Sequence, residues 1–102
     1  MCNVELTEKA ESDLDSISDY LAMTLANPPA ANALLDEIEN AIDHIEDDPE
    51  IYPLCLDSRL ADLGYRKAVV KSYIMIYDVD SDGATAHVLR FFHSSEDYPS
   101  KL

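Results

Sequence analysis

The chain has 102 residues, enough for one hydrophobic core and too few for two, so residues 1–102 are read as a single domain. Its 21 acidic side chains against seven Lys and Arg leave a net charge of −14, which repels phosphates at long range and argues against direct binding of duplex nucleic acid. No apolar run approaches the roughly 18–20 residues that span a bilayer, no basic leader precedes an apolar stretch, and Cys2 and Cys55 form no CxxC pair, so no membrane partner is expected and a reduced cytoplasm fits best.

The charge is unevenly spread. Residues 1–58 hold fifteen Asp and Glu against Lys9 alone, whereas residues 59–102 hold six of each sign and every Arg. A compact basic patch in the second part can still meet one phosphate, because salt screens fields beyond about 8 Å.

Asn3-Val4-Glu5-Leu6 alternates polar with apolar and predicts a short strand, ended by Thr7, a good helix N-cap. Ala10, Leu14, Ile17, Leu21 and Leu25 then recur at helical steps, with Glu8, Glu11, Asp13, Asp15 and Asp19 between them. Asn27-Pro28-Pro29 breaks this helix and starts another, since proline suits a first turn. Ala31, Leu34, Leu35, Ile38, Ala41, Ile42 and Ile45 carry its stripe as far as Asp47-Asp48-Pro49, and so short a link predicts an antiparallel hairpin. Residues 51–56, with Pro53 among apolar neighbours, read as a packed loop. Tyr65 to Val70, Tyr73 to Val79 and Ala84 to His93 are β-rich, and Asp80-Ser81-Asp82-Gly83 is a turn, which predicts a three-stranded antiparallel meander. The expected class is α+β, with the hairpin packed on one face of the sheet. The polar tail after His93 carries no clear signal.

This order, together with Gly64-Tyr65-Arg66-Lys67, Tyr73-Ile74-Met75-Ile76-Tyr77-Asp78-Val79, and Val88-Leu89-Arg90-Phe91-Phe92-His93 followed by Glu96-Asp97-Tyr98, resembles the RelE/ParE superfamily of bacterial type II toxins over nearly the whole chain. The resemblance implies a cognate antitoxin as partner, and either ribosome-dependent mRNA cleavage or inhibition of DNA gyrase as the activity. For a nuclease, Arg66, Lys67 and Arg90 match the positions that hold the scissile phosphate, and His93 and Tyr98 match those that move protons. The sequence departs from the nucleases at two points. An Arg frequent in their third strand is Ile74 here, and the usual Gly-Arg-Arg-Asp of the tail is Ser94-Ser95-Glu96-Asp97. Losing such a charge costs about 10²–10³ in rate, so a gyrase inhibitor without chemistry and a toxin that has lost its toxicity stand beside the nuclease.

The residues also carry plainer readings. Arg90, in an apolar strand, needs a carboxylate or carbonyl partner as readily as a phosphate. Arg90 and His93 lie three apart, so a regular strand points them to opposite faces unless a bulge near Phe92 or the strand's end intervenes. Tyr98 suits an apolar anchor for the C-terminus, and Tyr73 and Tyr77 suit core packing. His44 and His87 lack ligand spacing, no phosphate-cradling Gly-rich motif occurs, and neither metal nor cofactor is expected.

Overall fold

A computed structural model describes residues 2–102. Strand β1 (Asn3–Leu6) passes directly into helix α1 (Glu8–Asp19), because Thr7 is extended and its hydroxyl accepts the Ala10 N–H at the first turn. Helix α1 does not keep its period to Leu25. Tyr20–Thr24 forms one π-helical turn, closed by the Leu25 N–H on the Tyr20 carbonyl, and this wider turn swings Leu25 out of the packed stripe into solvent. Asn27 then caps helix α2 (Pro28–Asp47) through the Ala30 N–H, with both prolines in the first turn. The buried face of α2 is Ala31, Leu34, Ile38, Ala41 and Ile45, all within its predicted stripe.

The loop after Pro49 contains a short helix, α3 (Ser58–Asp62), that no apolar period announces; Asp57 caps it at the Leu60 N–H, and Gly64 leaves it at φ 82°. Strands β2 (Arg66–Val70), β3 (Tyr73–Val79) and β4 (Thr85–His93) form the expected antiparallel meander. The sheet has four strands in the order β1-β4-β3-β2, with β1 parallel to β4 at one edge.

Cores lie on both faces of this sheet. Leu34, Ile38, Ile45, Met75, Tyr77, Val88 and Phe91 fill the space under α1 and α2. Cys55, Leu60, Ile74, Ile76 and Phe92 form a second cluster on the opposite face, beneath α3 and a 3₁₀ turn at Tyr98–Lys101. The helical hairpin thus covers one face, as the pattern predicts, and the loop and tail cover much of the other. The Tyr77 ring is fully buried, its hydroxyl donates to the Pro49 carbonyl at 2.8 Å, and burial pushes its pKa up to about 12. It therefore stays a neutral donor that pins the loop to the sheet.

Strand β1 stops at Leu6, opposite Val88, while β4 runs on to His93. The exposed backbone of β4 beyond that point finds partners in α1 and its cap. Thr7 donates its N–H to the Val88 carbonyl and its hydroxyl to the Leu89 carbonyl. Asp13 Oδ2 accepts the Phe91 N–H at 3.0 Å, and the same carboxylate holds the Arg90 guanidinium at 2.7 and 3.2 Å. One carboxylate so replaces a strand and neutralises a charge.

Asp13→Ala should cost about 2–3 kcal/mol in urea unfolding, because it strands a partly buried guanidinium and a backbone donor together. A cost below about 0.5 kcal/mol would mean the pair is an ordinary surface contact. Asp78, on β3, has one carboxylate oxygen buried without a partner, and burial raises its pKa. The folded state therefore binds this proton more tightly than the unfolded chain, so the penalty for the charged form is full above the raised pKa and fades as pH falls through it. Asp78→Asn should accordingly stabilise the protein at neutral pH, with the gain shrinking towards about pH 4; a gain independent of pH would point to another cause.

Candidate functional site

Alternation along the strands sorts four of the five candidate residues onto two faces. Lys67 pairs with Ile76 and Ile76 with Arg90, so Lys67 and Arg90 share one row on the face away from α1 and α2. Two strand spacings put them about 10 Å apart. Tyr98 joins them from the tail. Its ring stacks on Phe92 with centroids 6.0 Å apart, the Lys67 ammonium lies 5.9 Å from the Tyr98 ring, and the Arg90 guanidinium lies 4.8 Å from the Phe92 ring. Beside this cluster, a groove of about 560 Å³ runs between the start of α1 and the tail, lined by Lys9, Tyr65, Leu89, Arg90 and Lys101.

Arg66 and His93 sit on the other face. Arg66 pairs with Tyr77 and donates to the Tyr52 carbonyl at 2.8 Å, with a longer approach of 3.5 Å to the Glu50 carbonyl, so its guanidinium ties down the loop that follows α2. His93 lies opposite Tyr73, edge to face at 5.3 Å, and its Nδ1 accepts the Ser95 N–H at 3.1 Å while standing 2.7 Å from the Ser95 hydroxyl. A bulge does occur in β4, but it falls at Leu89, where Tyr77 faces Val88 and Ile76 faces Arg90. It precedes both residues and leaves their parity opposite. The strand runs through His93, so the strand's end does not bring them together either.

Electrostatics within the first cluster are muted. Asp13 engages Arg90 and pushes its pKa up, so this guanidinium is held charged and already partnered. Lys101 is 2.9 Å from Glu96, whose pKa is lowered by that bond and by the His93 backbone N–H. Among the described residues no group of three or more His, Cys, Asp or Glu is arranged to hold a metal ion. What the arrangement offers is a shallow, partly apolar face with Lys67 and Lys9 as cations outside salt bridges, and no convergent set of donors around one point.

Asp13 is the residue that pattern reading passes over, grouped with the solvated positions of α1. A signal was present: 13 is three beyond Ala10 and four before Ile17, so this carboxylate interrupts the apolar stripe itself, where an acid needs a partner.

None of the curated proteins matches the chain by sequence. Among solved structures, a chain of the chromosomal ParDE toxin–antitoxin system from P. aeruginosa superposes with a TM-score of 0.69 at 20% identity, covering 91% of this chain and 96% of that one. A chain of the RelBE2 toxin–antitoxin complex from Mycobacterium tuberculosis superposes with a TM-score of 0.62, also at 20% identity, covering 90% and 96%. These share the fold. The family model described as the ParE toxin of the type II toxin–antitoxin system, parDE, matches residues 4–98, and on that match the chain belongs to the ParE toxin family.

Proposed function

We propose that this type II toxin acts by binding DNA gyrase, without chemistry of its own, in the cytoplasm and under the control of a cognate antitoxin. The observation that carries this reading is the Asp13 carboxylate on Arg90: the one Arg in the candidate cluster is occupied by a partner from its own chain. A phosphoryl-transfer site needs preorganised donors about 2.7–3.1 Å from the oxygens where charge develops. Here Arg66 is committed to backbone carbonyls, His93 lies on the opposite face, and Ile74 occupies the third-strand position where the related nucleases often carry Arg. A net charge of −14 also opposes docking into the RNA-rich decoding site of a ribosome, whereas a protein target tolerates it. Cys2 and Cys55 are free and buried in separate clusters on opposite faces of the sheet, which suits a reducing compartment.

The nuclease reading keeps one observation in its favour, the shared face of Lys67, Arg90 and Tyr98. Induced expression separates the two. The expected outcome is growth arrest with intact message and a DNA-damage response, and pure protein should block supercoiling of relaxed plasmid by gyrase. Message cleavage that disappears in Lys67→Ala and Tyr98→Phe would overturn the proposal in favour of the nuclease. Unimpaired growth at high expression would instead identify a toxin that has lost its toxicity.

A further inference from the structure

Two rows of carboxylates run along the helices with the same spacing. On α1, Glu8, Glu11, Asp15 and Asp19 stand at steps of three, four and four; on α2, Asp36, Glu39, Asp43 and Asp47 repeat those steps. All eight residues are exposed. Each row lies opposite the stripe that its helix packs on the sheet, Ala10, Leu14 and Ile17 on α1 and Leu34, Ile38, Ala41 and Ile45 on α2. Both helices cover one face of the sheet, so both rows point away from it on the same side of the molecule. Among the described residues none of the eight has a cation within salt-bridge distance, and no Lys or Arg occurs between Lys9 and Arg59. Like charges three or four apart on a helix repel, so each row weakens the helix that carries it. Folding therefore does not account for the pattern, and recognition does.

The spacing and the field together select the occupant. Eleven residues of helix rise about 16 Å, so four charges fall at intervals of about 5–6 Å, against about 3.4 Å between phosphates along the axis of one DNA strand. Two such rows side by side make an anionic face with the sign of a duplex and close to its spacing. A second copy brings the same −14, and nucleic acid or an anionic membrane is repelled in the same way, which leaves a cationic protein surface. An enzyme that grips duplex DNA lines the path of that DNA with Lys and Arg. Gyrase, the target in the reading above, is such an enzyme.

We propose that the outer face of α1 and α2 docks on the cationic surface along which gyrase holds duplex DNA, so that this toxin and DNA compete for one surface. The inference rests on the reading of this chain as a gyrase binder. It adds the face of the toxin that makes the contact, the chemistry of the surface it meets, and the mode of inhibition.

The test uses the full chain, purified gyrase and a fluorescently labelled duplex, with displacement of the duplex followed by anisotropy and supercoiling followed on gels. The protein should release the duplex from gyrase, and the concentration needed for half-inhibition should rise as the DNA concentration is raised. Glu39→Lys with Asp43→Lys should raise that concentration at least about tenfold, as for reversed charges at a complementary interface. Asp62→Lys with Asp97→Lys makes the same change in net charge at exposed residues of α3 and the tail, and should move it less than about twofold. Circular dichroism checks that both variants stay folded. Inhibition that is indifferent to the DNA concentration or to Glu39→Lys with Asp43→Lys, or that weakens equally in the two variants, would overturn the docking while leaving the gyrase reading intact. A wild-type chain that neither binds gyrase nor blocks supercoiling would overturn both.

Discussion

Most of what distinguishes this molecule follows from a mismatch of strand lengths. Strand β4 outruns β1 by five residues, from Arg-containing sequence after Val88 to His93, and a buried ladder cannot be left with open donors. Asp13 closes the gap from the neighbouring helix. By taking the Phe91 N–H and the Arg90 guanidinium with one carboxylate, it fixes how α1 lies on the sheet and decides the electrical state of the opposite face. The bulge at Leu89 is part of the same arrangement, since the extra residue puts Arg90 in the row of Ile76 and Lys67.

The two faces of the sheet therefore differ in kind. Under α1 and α2 the packing is continuous, and the polar groups there, Arg66 and the Tyr77 hydroxyl, serve as latches on the loop carbonyls of Tyr52 and Pro49. The other face is smaller and is sealed by α3 and the tail, with Arg59 donating to the carbonyls of Pro99 and Leu102. Its aromatic pair, Phe92 and Tyr98, gives the tail an apolar anchor, and cations lie alongside without converging. A surface of this sort suits recognition by shape better than stabilisation of a developing charge.

The helical hairpin and the meander were legible because their apolar residues repeat over many turns and strands; Leu34, Ile38, Ala41 and Ile45 announce α2 without help from tertiary structure. Leu25 misled because periodicity assumes a constant turn, and a π-helical turn breaks that assumption without leaving a compositional trace. Helix α3 is too short to show a period at all. The parallel placement of β1 was hidden for another reason: four residues specify a strand but not its neighbour. At the candidate site, residue types were readable and partnerships were not. Strand parity separated Arg90 from His93 on paper as it does in space, yet nothing local told that Asp13, 77 residues away, holds Arg90.

The placement of β1 also bears on how the molecule comes into being on the ribosome. The first strand and the first helix are made early, but the partners that fix them, Val88 to Phe91, follow about 80 residues later. Contacts so distant along the chain close slowly, and a nascent chain lacking β4 leaves β1 and Asp13 with nothing to grip. The first strand and the first helix thus settle only once β4 has been made.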